Sequence, residues 1–302
     1  MSNLGPTEIT GDYVVRATAL DGQIRALVGQ TKELVEEARQ KHHTSPIATA
    51  ALGRTLTAGL LLAQDLKGDN TLTIRVMGDG PLGGIIVTAD AAGGVRGYVQ
   101  EPEVYLPSRE GKLDVGGAVG KNGTLHVSKD LGMKEPYVGS VPLVSGEIAE
   151  DLTYYLAASE QIPSVTALGV LVNTDGRVIA AGGFILQLMP GATESTISWL
   201  EGRLVNLEPV STMLARGLSP ADILREVLGE STEIKILGSQ AVSFRCQCSR
   251  EKLMTLLVSL GREELANIRQ EEGQVEVRCH FCNEVYSFAG PLLEQLIEES
   301  GN

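Results

Sequence analysis

All four cysteines of this 302-residue chain fall within its last 62 residues, as two tight pairs: Cys246-Gln247-Cys248 and, after 30 intervening residues, Cys279-His280-Phe281-Cys282. Zinc takes four thiolates tetrahedrally, and two short turns brought together supply two each, so the pattern predicts a closed structural site. A domain of this size buries too little apolar surface to be secure without a staple. Structural zinc supplies one, worth roughly 10 to 16 kcal/mol at neutral pH. Between the pairs, 249–260 and 262–271 read as two helices split by Gly261. Residues 274–278 read as a strand entering the second pair and 285–288 as one leaving it. Residues 241–302 are therefore expected to form a small zinc-binding domain with Cys246, Cys248, Cys279 and Cys282 as ligands.

The same four thiols admit other readings. A purely structural zinc knuckle is the plainest. A disulfide framework wants a secretory context, and residues 1–12 carry neither a basic run nor an apolar segment of signal type. A thioredoxin-like motif wants one C-x-x-C at the start of a helix in a βαβ unit, and neither pair sits there. What favours a switch over a staple is the C-x-C pair. Its sulfurs are close enough to join, but the ring is small and strained and hence comparatively reducible. Zinc would tie 246/248 to 279/282 across the 30 intervening residues, whereas local disulfides would tie each pair only to itself. Such tiny loops restrict the unfolded chain little, so losing zinc should unfold the small domain.

Upstream, the sequence alternates strand-like and helical runs in an α+β pattern, and with 43% hydrophobic residues it can bury a core of its own. Residues 70–77, 84–89 and 95–100 predict an antiparallel meander, and 118–127 and 164–188 further strands. Helices are expected over 31–42, over 46–64 with Ser45 as N-cap and Pro46 at N1, and over 146–159 with Ile148, Leu152, Tyr155 and Leu156 on one face. Residues 1–190 are thus expected to be an N-terminal domain. From 191 to 240 the chain breaks into helical pieces, 193–205, 211–216 and 219–228, separated by Gly191, Gly217, Gly229 and Gly238. Ser219-Pro220-Ala221-Asp222 carries a capping signature. This segment reads as a helical, metastable linker.

Composition narrows the partners. A net charge of -13 and the lack of any Lys/Arg-rich block argue against nucleic acid. The most apolar stretch, 47–63, is shorter than the roughly 20 residues of a membrane span and is read as a buried helix, so neither a membrane nor a compartment beyond the reducing cytoplasm is expected. Gly78-Asp79-Gly80-Pro81-Leu82-Gly83 fits G-x-G-x-x-G, but a strand rather than a helix follows it, which marks a hairpin turn and not a dinucleotide site. His42 and His43 read as cations at a helix end, and His280 as a neighbour of the thiolates, whose four sulfurs already fill a tetrahedral shell. Trp199 with Leu200 and Leu204 reads as helix packing.

The cysteine spacing resembles the redox-regulated holdases of bacteria, the thirty-three-kilodalton heat-shock chaperones. Val15-Arg16-Ala17, Asp21-Gly22-Gln23-Ile24-Arg25-Ala26, His43-Thr44-Ser45-Pro46, Gly97-Tyr98-Val99 and Val115-Gly116-Gly117 extend the likeness along essentially the whole chain. The resemblance implies a zinc-bound, inactive monomer when reduced. On oxidation it implies disulfides joining Cys246 to Cys248 and Cys279 to Cys282, zinc release, unfolding of the C-terminal domain and linker, and a homodimer that holds unfolding client proteins without ATP. Two other functional classes stand beside it: a thiol oxidoreductase acting through Cys279 and Cys282, and a static zinc-ribbon binding module.

Overall fold

Among the described residues the first two strands are β1 (Tyr13–Ala19) and β2 (Ile24–Gln30). The hairpin between them turns through Leu20, Asp21 and Gly22, all at positive φ. The computed structural model describes residues 10–300, which divide into one compact unit through Arg245 and a second from Cys246.

Two helices follow, α1 (Lys32–His42) and α2 (Pro46–Leu62). Helix α2 begins where Ser45 caps Ala48 N and Pro46 occupies the first turn, the position where a missing N–H costs nothing. Next come β3 (Thr71–Met77), β4 (Gly84–Asp90) and β5 (Gly94–Val99), the antiparallel meander expected from their β-branched runs. The G-x-G-x-x-G segment is the β3–β4 connection, and its Gly80 and Leu82 amides donate to the Val119 and Ala118 carbonyls. The expected strand over 118–127 is corrected. Its first residues close a short helix, α3 (Val115–Val119), because Asp114 accepts from Gly117 N and Gly120 takes φ 85°; the strand β6 runs over Thr124–Asp130.

Strand β7 (Tyr137–Pro142) precedes α4 (Ala149–Ala158). Ile148 stands before that helix at φ 70° rather than within it, while Leu152, Tyr155 and Leu156 are buried on its inner face. Strands β8 (Ser164–Val172) and β9 (Val178–Leu188) follow. Residues 191–240 contain three helices, α5 (Glu194–Leu204), α6 (Val210–Ala215) and α7 (Pro220–Leu228), the last with the full Ser219/Asp222 capping box. They end in a strand where the sequence suggests none, β10 (Ile234–Ala241), followed by the short β11 (Ser243–Phe244).

These elements build two sheets, in the orders β10-β1-β2-β9-β8 and β11-β5-β4-β3-β6-β7. Helix α2, buried along nearly its whole surface, touches β8 and β9 of the first and β4 and β5 of the second. That placement is what an all-round apolar helix requires. Gly53 permits it, since a Cβ there would lie 2.7 Å from Val35 and 2.8 Å from Val170. With the turn that extends it to Asp65, the helix reaches 20 residues, so shortness does not exclude a membrane span; the burial of 83% of its most apolar window does the explaining. On the first sheet, Leu200, Met213, Ile223, Leu224 and Leu228 of α5–α7 pack against Val15, Ala17, Ile24 and Phe184. Trp199 and Leu204 lie at the margin of that cluster.

The second unit contains α8 (Arg250–Val258), α9 (Arg262–Glu272), the antiparallel pair β12 (Gln274–Arg278) and β13 (Val285–Ala289), and α10 (Gly290–Glu299). Leu253, Leu257, Leu265, Phe288, Leu293 and Leu296 form its core.

Candidate metal centre

The second cysteine pair sits in the turn of the β12–β13 hairpin. Cys279 N donates to the Glu284 carbonyl and Asn283 N to the Cys279 carbonyl, with Asn283 at φ 60°. This folds the turn back so that Cys279 and Cys282 face one side. The first pair lies in extended chain leading into α8, whose N-cap Ser249 accepts from Lys252 N. Two contacts bind the start of α8 to the hairpin: the Arg250 guanidinium donates to the Ser287 carbonyl at 2.8 Å and lies 4.6 Å over the Phe288 ring. Lys252 Nζ donates to the Gln247 carbonyl at 2.9 Å and so braces the residue between the first two cysteines.

The result is one cluster. Cys246, Cys248, Cys279 and Cys282 present sulfurs that all lie within 4.8 Å of one another, and could hold a metal ion. Cys246 Sγ is 3.7 Å from Cys279 Sγ, and Cys248 Sγ 3.4 Å from Cys282 Sγ, so sulfurs meet across the two pairs. Cys282 is buried and the other three are half-buried. His280 lies in the same turn, but no histidine joins the four-sulfur group, and the group is the one set of this kind among the described residues. His42 instead ends α1, with its ring edge-on to Phe244, and His43 forms that helix's left-handed C-cap.

The thiols are unequal. Burial pushes Cys246 and Cys282 above the ordinary thiol range. For Cys248 burial also acts upward, but hydrogen bonds from Tyr286 and the neighbouring cysteines outweigh it and hold this thiol below its ordinary value. Tyr286 was not among the residues the sequence singles out, nor were Arg250 and Lys252. Their signal is geometric: Tyr286 and Phe288 share one face of β13, and Arg250 is the first residue after a helix cap.

Comparison with known proteins agrees along the chain's length. The sequence model of a family described as Hsp33 protein matches residues 12–289. A 33 kDa chaperonin of Desulforamulus reducens is 55% identical over 288 residues, spanning 95% of this chain and 97% of the relative. One from Bacillus cytotoxicus is 54% identical over 95% of this chain and 99% of its own. Among solved structures, the 33 kDa chaperonin (heat shock protein 33 homolog) of Thermotoga maritima superposes with a TM-score of 0.87 at 39% identity, over 95% of this chain and 97% of the other.

Proposed function

The chain belongs to the Hsp33 protein family, and from that membership together with its four-sulfur cluster we propose that it is a cytoplasmic, redox-regulated holdase. Reduced, it holds one zinc ion through Cys246, Cys248, Cys279 and Cys282 and is inactive. Oxidation joins the cysteines within each pair, releases zinc and activates the binding of unfolding proteins.

The cluster's construction carries this reading. Four thiolates set tetrahedrally at the usual zinc–sulfur distance lie about 3.8 Å apart, close to the 3.4 and 3.7 Å separations across the pairs. The donor set therefore suits zinc with little adjustment. Zinc, when bound, supplies a four-way crosslink that draws both pairs to one point. The chain's own residues do the rest: Arg250 and Lys252 hold the first pair in place, and the Cys279–Glu284 turn holds the second.

Disulfides confined to each pair would leave the two pairs unconnected, and the second unit would rest on a core of about eight buried side chains. We assign 191–240 as the metastable segment and 241–302 as the switch domain, with 1–190 the part that stays folded. In the reduced structure Ile223, Leu224 and Leu228 are turned into the first sheet; released, they would offer apolar contact to non-native clients, and self-association would cover part of it as a homodimer.

The geometry speaks against an oxidoreductase acting through Cys279 and Cys282. Both lie in a hairpin turn rather than at a helix start, and Cys282 is buried with its thiol pushed up, the reverse of an activated nucleophile.

Zinc content, aggregation suppression and molecular size, compared in reduced and peroxide-treated protein, test the proposal. It expects about one zinc per reduced chain, and on oxidation zinc loss, a gain of activity and a shift to dimer together. A static zinc module would keep its metal without gaining activity.

A further inference from the structure

Of the four sulfurs, Cys248 has a phenol beside it. Tyr286 Oη lies 3.3 Å from Cys248 Sγ. The ring is placed by the sheet: Tyr286 pairs with Val277 across β12–β13 and packs against the unit's core two residues before the fully buried Phe288. A side chain held by its ring has one use left for its hydroxyl, and here that group points at sulfur. When Cys248 is a metal-bound thiolate it has no proton to give. The tyrosine hydroxyl, protonated at neutral pH, is then the donor.

We propose that Tyr286 is a positioning residue for the switch, donating an O–H···S bond to Cys248 that strengthens its hold on zinc and slows its reaction with peroxide. The inference rests on the redox reading above. A donor hydrogen bond to a thiolate draws charge off sulfur, and charge on sulfur is what attacks an oxidant. Zinc binding gains instead from orientation, the hydroxyl fixing where the thiolate stands, and outer-shell partners that orient metal ligands carry about 10- to 100-fold in affinity.

The step being restrained is balanced as follows. A thiolate attacks one oxygen of hydrogen peroxide; the O–O bond breaks, an S–O bond forms, and hydroxide leaves. The second thiolate of the pair attacks that sulfur, forming S–S and expelling a second hydroxide. Two sulfurs give up two electrons, and with two protons the peroxide becomes two waters.

Tyr286→Phe keeps the ring and removes the donor. In the full-length reduced chain we expect about tenfold weaker zinc binding in competition with a chromophoric chelator, and several-fold faster zinc release at fixed peroxide. We also expect the sulfur-to-metal charge-transfer bands of the cobalt(II)-loaded protein to move to longer wavelength, which a loss of packing alone would not produce. Tyr105→Phe, at a tyrosine 82% exposed in the first unit, serves as control. Tyr286→Phe protein with unchanged affinity, release rate and cobalt bands would overturn the assignment while leaving the redox switch intact. Parent protein that binds zinc but keeps it under peroxide would overturn the switch, and this refinement with it.

Discussion

Asp12 is a carboxylate that folding places unfavourably. Its Oδ2 accepts from Leu34 N at 2.7 Å, and its carbonyl accepts from Val242 N. Burial nevertheless dominates and pushes its pKa up to about 6 from an ordinary 3.8, with the Glu33 charge adding to the rise. The folded chain thus holds this proton to higher pH than the unfolded chain. The penalty is absent below about pH 4, grows as pH rises, and is complete above about pH 6, reaching at most about 3 kcal/mol. Asp12→Asn should therefore gain stability relative to the parent on going from pH 4.5 to pH 7.5. Thermal unfolding of both proteins at the two pH values checks this; a pH-independent difference would contradict it.

A second carboxylate is better served. Asp151, with no exposed surface, accepts from the backbone amides of Val144, Ser145 and Gly146 through Oδ1 and of Ile148 through Oδ2. Asp151→Ala would orphan those donors in the interior and should cost roughly 2 to 4 kcal/mol, read from the unfolding midpoint.

Among the elements, α7 shows how a helix can be well specified and still be detachable. Its capping box and Pro220 fix where it starts, and Ile223, Leu224, Val227 and Leu228 give it one buried face. Beyond that face, α7 is held by the Arg203 guanidinium, which donates to the Glu226 and Val227 carbonyls at its last turn. Leu224→Ala should cost about 2 to 4 kcal/mol locally, raising hydrogen exchange over 191–240 in the reduced protein while zinc content stays at the parental level. Unchanged exchange there would show that the segment is not held by this face.

Such local signals explain what could be read from the sequence. Caps, glycine stops, the meander and the hairpin around Cys279 and Cys282 are written within a dozen residues of where they act. Strand β10 is not. Its alternation is broken by Gly238, it is largely exposed, and its partner β1 lies more than 200 residues earlier, joined through a bulge at Arg16/Ala17. Helix α10 did leave a signal, Pro291 in its first turn with Leu293, Leu296 and Ile297 on one side. The register that brings Tyr286 to Cys248 arises only when hairpin and α8 meet.

For the whole molecule, the proposed switch predicts separate fates for its parts under oxidant. Peroxide treatment should collapse amide protection from 241 onward, and through 191–240 as the linker opens, while α2 and the meander over 71–99 keep theirs. Mass-resolved exchange on reduced, oxidised and chelator-treated chains would show it. Chelation alone should reproduce the loss beyond 240, because the metal and not the disulfide is the crosslink. Persistent protection there after zinc removal would refute the scheme.

Strand β1 lies between β2 and β10 and so has neighbours on both sides. Withdrawing β10 with the rest of the 191–240 segment would strip one side of it, leaving seven residues, from Tyr13 to Ala19, with a row of amides and carbonyls addressed to solvent. Such a row is a template that accepts any extended chain regardless of its side chains. Opening the arm would therefore create a vacancy for backbone as well as a greasy surface, and a vacancy of that kind would suit the proposed capture of unfolding chains.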